Sequence, residues 1–218
     1  MALTLNVPRE EYREFYGRNI EQMSKLIADG RVPMNVAQLM QRRLDVRNFD
    51  KAVKNYIDNH FDTGDAVVYH PDGRVKIVLD SQTLREITPE SPRVSGTLVL
   101  TSDVYDSLQG EEFKKGKLVK VNKDLSRKNI KAHPVWKVLA RDQCLLNDYA
   151  DYIFTEGKER FSYDNAMGVY PDLAGDNPKM RAWIVGGLAY RSSAFGWEYF
   201  DYDYGRFVGI APEIVNQR

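Results

Sequence analysis

Between residues 8 and 61 apolar side chains recur at steps of three and four. Tyr12, Phe15, Tyr16, Ile20, Met23, Leu26 and Ile27 form one stripe, the pattern of an amphipathic helix. Pro8 suits its first position, Glu10 and Glu11 its first turn, and Gly30 its end. After Pro33 the spacing repeats in Val36, Leu39, Met40 and Leu44. Phe49, Val53, Tyr56 and Ile57 then carry it toward Phe61. Three helices are predicted before residue 62.

The period then changes. Ala66 to Tyr69 and Val75 to Leu79 flank His70-Pro71-Asp72-Gly73, a turn tetrad with Pro second and Gly fourth, so a β-hairpin is predicted. Residues 83–95 hold Pro89 and Pro92 and suit an exposed loop. Thr97 to Leu100 and Lys117 to Val121 suit short strands, and Ser102-Asp103 suits the cap of one helical turn between them. Pro134 opens a predicted helix whose face carries Trp136, Leu139, Leu146, Tyr149 and Ile153, ending near Gly157. Asn177-Pro178 is a second cap-plus-proline start, leading into Met180, Trp183, Ile184 and Leu188. Gly186-Gly187 disfavours that helix and fits close packing, a break or a strand instead. Phe207 to Ala211 suits a last strand.

These elements predict an α+β fold: a helical N-terminal third packed on a mixed or antiparallel sheet, with additional helices from the C-terminal half. Residues 1–62 form the helical segment and 63–218 the α+β portion, expected as one compact domain. Composition agrees with a folded chain. Of 218 residues, 43% are hydrophobic and 28% charged, enough apolar surface to offset ordering entropy. Basic and acidic residues number 31 each, which excludes a uniformly basic nucleic-acid coat. Cys144 stands alone, so a disulfide-stapled scaffold is excluded. The first residues lack the basic start and apolar run of a signal peptide. The longest nearly uncharged apolar stretch, 182–190, is well short of the ~20 residues of a spanning helix. A cytoplasmic protein without membrane attachment is the expectation.

Most motifs of known chemistry fail on spacing. Gly110 to Leu118 places five residues between its glycines, where a phosphate loop needs four, and Leu118 takes the hydroxyl position. The acid-x-Lys triplets at 112–114 and 156–158 are no more frequent than chance. His60, His70 and His133 stand far apart, so no metal site of standard spacing is predicted, and no cofactor either. Cys144 reads as a buried, inert thiol in mid-helix, and Ser192-Ser193 lies in no nucleophile elbow. Arg42, Arg43, Arg47, Lys51 and Lys54 gather near the second and third helices as a DNA-facing surface would require. Residues 1–63, however, carry ten basic against nine acidic side chains.

Two segments stand out. Lys114, Lys115, Lys117, Lys120, Lys123, Arg127, Lys128 and Lys131 face one acid, Asp124, in eighteen residues. Such a run could follow a phosphate backbone, or pair with the acidic stretch at 142–164. Residues 190–207 gather Tyr190, Phe195, Trp197, Tyr199, Phe200, Tyr202, Tyr204 and Phe207, interleaved with Arg191, Glu198, Asp201, Asp203 and Arg206. Alternation along a strand would set Trp197, Tyr199, Asp201 and Asp203 on one face. Tyrosine and tryptophan join an apolar body to a polar tip, as binding surfaces require; the alternative is a closing strand that feeds the core. The leading expectation is a binding or assembly protein using Tyr190, Arg191, Trp197, Glu198, Tyr199, Asp201 and Asp203 toward a protein partner or a second copy. A nucleic-acid reading rests on Lys114, Lys115, Lys117, Lys120, Arg127 and Lys128. An enzyme reading, with no reaction attached, rests on His70, Arg191, Glu198, Asp201 and Asp203.

Overall fold

The computed structural model describes residue 3, residue 5 and residues 11–114, 125–172, 175–197 and 199–211. The chain runs β1 (Tyr12–Tyr16), α1 (Asn19–Ala28), β2 (Val32–Pro33), α2 (Val36–Asp45), α3 (Asp50–Asp58), β3 (Phe61–Tyr69) and β4 (Arg74–Val78). It continues through α4 (Gln82–Arg85), β5 (Arg93–Val94), β6 (Thr97–Val99), α5 (Ser102–Ser107) and β7 (Glu111–Lys114). Then come α6 (Arg127–Ala132), α7 (Pro134–Ala140), α8 (Gln143–Phe161), β8 (Val169–Pro171), β9 (Lys179–Val185), β10 (Ala194–Gly196) and β11 (Arg206–Ile210). The fold is mixed α and β, as the sequence predicts.

The strands join one mixed sheet with the path β1-β11-β3-β9-β10-β8. β11 runs parallel to β3 and antiparallel to β1. β4 and β6 lie off this path, because β3 and β9 each fork. β9 keeps one side of β3 throughout, while the other side carries β11 at Asp62 and β4 from Ala66 onward. A bulge between Asp62 and Ala66 makes the fork. Asp65, buried in that bulge, accepts the N–H groups of Val36 and Asp80 and pairs with Arg141 at 2.6 Å. Burial pushes its carboxyl above the usual range, against the pull of Arg141.

Both faces of the sheet are covered. Val67 and Tyr69 of β3 and Trp183 and Val185 of β9 face a large core built with α2, α3, α7 and α8. Ala66, Val68, Met180 and Ala182 face a smaller one with Phe15, Ile20, Met23 and Leu26. Strand alternation therefore divides two apolar layers rather than core from solvent.

Several local expectations hold. α2 starts at Asn35, whose side chain accepts from Gln38 N–H while the Gln38 side chain accepts from Asn35 N–H. α3 follows as predicted, and the hairpin closes through His70 N–H to Arg74 O at 2.9 Å. α5 is capped by Thr101 rather than by Ser102.

Others are corrected. Residues 12–16 and 32–33 are strands within the stretch read as helical. Tyr12 and Phe15 lie three apart, so an extended backbone sends them to opposite faces, one into each core. That spacing imitates a helical stripe. The helix expected after Pro178 is strand β9, whose residues are apolar on both faces. The helix expected from Pro134 breaks at Arg141, which takes a left-handed φ of 62°. Its second half then runs past Gly157 to Phe161. Cys144 is exposed in the first turn of α8, not buried in mid-helix. The expected strand at 117–121 lies outside the described residues.

Candidate functional site

Residues 197 and 199–204 do not form the alternating strand that the sequence suggests. After β10 the chain turns, and Tyr202 N–H bonds Tyr199 O. Three anchors hold this loop. Phe200 is buried in the smaller core, its N–H bonding Gly96 O at 2.8 Å and its carbonyl accepting from Ile20. Gly205 O accepts from Gly17 N–H at 2.9 Å. Asp201 reaches Arg18 at 3.4 Å and Arg93 at 3.5 Å. Gly96 has φ of +67°, and a Cβ there would meet the Tyr199 side chain at 2.7 Å. Phe200 and Gly205 are held through main chain or core contacts and Asp201 by part-exposed ion pairs, so the tyrosines between them are left for the surface.

Those tyrosines wall a cleft of about 390 Å³. Its sides are Tyr190, Phe195, Trp197, Tyr199, Tyr202 and Tyr204, and its base is Asn19, His60, Asp62, Ile184 and Gly205. The rings brace one another: Tyr202 stacks on Tyr204 at 5.1 Å, while Phe195 meets Trp197 edge-on at 5.7 Å. Tyr190, Trp197 and Tyr204 are nevertheless 67%, 40% and 49% exposed, and so form an open aromatic patch around the cleft.

At the base, Asn19 and Asp62 are polar and buried, and His60 is half-buried. Asp62 stands just before the bulge in β3. One of its oxygens accepts from Asn19 Nδ2 and the other from Arg206 N–H, each at 2.6 Å. Burial raises its pKa above the usual carboxylate range, opposed first by the Arg206 N–H and then by nearby His60. His60 Nε2 donates to Tyr204 O at 3.0 Å. Asn19, at the start of α1, is 4% exposed, and its Oδ1 meets no donor among the described residues.

Of the predicted binding residues, Tyr190, Trp197 and Tyr199 line the cleft. Asp201 anchors the loop, Asp203 is exposed on it, and Arg191 turns away to lie over the Tyr163 ring at 5.5 Å. Glu198 lies outside the described residues. His70 sits at the hairpin turn, 2.8 Å from Asp72, and is no part of the cleft. The dispersed enzyme constellation is therefore not gathered. Asn19 and Asp62 were not singled out, His60 was considered only as a metal ligand and Ile184 only as part of an apolar helix face, since each comes from a distant element. Phe195, Tyr202 and Tyr204 were visible as part of the aromatic run.

The basic segment is only partly described. Lys114 is exposed on β7, while Lys115, Lys117 and Lys120 lie outside the described residues. Arg127 and Lys131 reach Asp151 on α8 at 3.6 and 2.7 Å, a pairing of basic and acidic segments within the fold. Lys128 is exposed beside them. Arg43, counted among DNA-facing candidates, is completely buried. Among the described residues no group of three or more His, Cys, Asp or Glu side chains is arranged to hold a metal ion, and no helix is long and apolar enough to cross a membrane.

Comparison with known proteins places the architecture. A solved structure reported under the words "Accommodation of massive sequence variation in Nanoarchaeota by the C-type lectin fold" superposes with a TM-score of 0.66. The match covers 94% of this chain and all of that one, at 18% sequence identity. The chain has a C-type lectin fold. No family model and no curated protein matches its sequence. The likeness is one of backbone, and the cleft chemistry belongs to this chain's own residues.

Proposed function

We propose that this is a binding protein, and that the aromatic cleft between β9, β10 and the 197–205 loop is its contact site for a protein partner. The observation that carries the reading is the pairing of three exposed rings, Tyr190, Trp197 and Tyr204, with a buried polar base. Large aromatic side chains left at a surface cost solvation without contributing to the fold, and interfaces are where such residues gather. The similar structure adds support, since its fold is described as accommodating massive sequence variation. A loop held by its backbone, by the buried Phe200 ring and by the Asp201 ion pairs is suited to presenting its remaining side chains for recognition.

The test is substitution of rings that face the cleft without filling a core. Trp197→Ala and Tyr204→Ala should leave the thermal midpoint within a few degrees of the parent. Either change should weaken capture of a partner from the source cell's extract by at least about tenfold. Sedimentation of the purified protein distinguishes a second copy from a different partner. Equal capture by parent and both variants overturns the assignment of the site.

A further inference from the structure

We infer that the cleft recognises a guanidinium group, presented as an arginine side chain of the partner; this inference rests on the cleft being the contact site. Its base is rich in acceptors and poor in donors. Asn19 Oδ1 is buried with no donor among the described residues, and it lies against Gly205, 2.0 Å from where a Cβ on that residue would stand. The Asp62 carboxylate accepts from Asn19 Nδ2, from Arg206 N–H and from its own backbone N–H, three of the roughly four bonds its two oxygens can take. The one ring nitrogen of His60 with a described partner is spent on Tyr204 O. A ligand that completes such a base must bring several N–H groups and no acceptor of its own. Arginine offers five N–H donors in a planar fork.

The walls select the same chemistry. Flat rings bind a planar, weakly hydrated cation on their faces, and the methylenes of an arginine stem pack against their edges. This fold already uses the contact repeatedly. Arg42 lies over Tyr12 at 4.3 Å, Arg181 over Tyr199 at 4.6 Å and Arg206 over Tyr16 at 5.0 Å.

Each neighbouring arginine has a carboxylate partner, although Arg18 and Arg93 share Asp201 and Arg181 shares Asp172 with Lys179. Arg18 and Arg93 meet Asp201, Arg206 meets Glu14 at 2.8 Å, and Arg181 meets Asp172 at 2.7 Å. Asp203 adds an exposed carboxylate on the same loop. An anionic ligand would face the Asp62 carboxylate, and no lysine or arginine lines the cleft among the described residues. A sugar hydroxyl would bring an acceptor for every donor.

The experiment follows the Trp197 indole N–H signal by NMR. The titrants are N-acetyl-arginine methylamide and its neutral isostere, N-acetyl-citrulline methylamide. The arginine compound should shift that signal saturably, with the citrulline compound at least about tenfold weaker. Tyr202→Leu keeps the apolar wall but removes the π-face, and should cost the arginine compound about fivefold or more. Asp62→Asn should cost at least as much; if it does not fold, Tyr202→Leu decides. Equal affinity for the two compounds, or no shift with the arginine compound at 50 millimolar, overturns the inference. The contact-site reading falls separately, on unaltered partner capture by both the Trp197→Ala and Tyr204→Ala variants.

Discussion

Two buried polar clusters flank the 186–205 segment, and they are built on opposite principles. Behind it, Arg43 is sealed in the large core. Its Nε donates to Tyr56 O, one Nη to the Tyr149 hydroxyl and Ser192 Oγ, and the other to the carbonyls of Asn59 and Gly186. Every donor is used, and no carboxylate is among these partners. In front of it, Asn19 and Asp62 share one short hydrogen bond and leave acceptor capacity facing a cleft. A saturated cluster can only hold structure together. An unsaturated one carries a desolvation cost that a ligand can relieve. The same segment is thus tied down on one side and left incomplete on the other.

The contrast is most exposed to failure at Arg43. Arg43→Met should remove about 2–4 kcal/mol of stability, since it strands the buried carbonyls of Tyr56 and Gly186 and leaves that of Asn59 without its donor. Denaturant unfolding would measure it. A loss below about 1 kcal/mol would show that the sealed cluster is not a structural tie.

His133 sharpens the comparison as an intermediate case. It is buried at the junction of α6 and α7, and neither ring nitrogen meets a partner among the described residues. Burial lowers its pKa from 6.5 to about 4. The unfolded chain therefore binds its proton first as pH falls. The neutral ring's contribution is complete above pH 6.5 and is lost toward pH 4, up to about 3 kcal/mol. Asp62 and Asp65, whose pKa values are raised, act in the opposite direction, favouring the folded state as pH falls. Subtracting the pH–stability curve of His133→Leu from that of the parent isolates the histidine, and a flat difference would contradict the assignment.

Gly205→Ala probes the open cluster directly. The added methyl would meet Asn19 Oδ1 at 2.0 Å and Gly17 O at 2.7 Å. Overpacking of this kind costs about 1–3 kcal/mol, with altered Trp197 fluorescence as the loop shifts. Tyr190→Ala should do least, within about 0.5 kcal/mol, because that ring is mostly in water. A larger loss would mean that the patch supports the fold.

Legibility in the sequence followed the range of the interactions. α2 was readable because Val36, Leu39, Met40 and Leu44 repeat at helical spacing after Pro33, and the β3–β4 hairpin because residues 70–73 make their own turn. β1 and β9 were misread, since apolar residues on both faces of a doubly covered strand leave no alternation to detect. Trp197 to Tyr204 stood out by composition, yet their turn conformation depends on Phe200 reaching a distant core. The base of the cleft had no local trace at all. Asn19 and Asp62 meet only when α1 and β3 have been brought together, as does Arg206 when β11 joins them.

Strand β11 has a consequence for how the molecule is made. It lies between β1 and β3, with Tyr12 opposite Ile210 and Phe207 opposite Asp62. During synthesis β1 and β3 emerge early, while the strand that fills the place between them comes some 140 residues after β3. At about 5–20 residues per second, that is a wait of roughly ten seconds or more with sheet edges unpaired. Closure then depends on contacts very distant in sequence, a topology that folds slowly. The nascent chain is accordingly the stage at which this protein is most open to misassembly, and the stage at which chaperones have most to do.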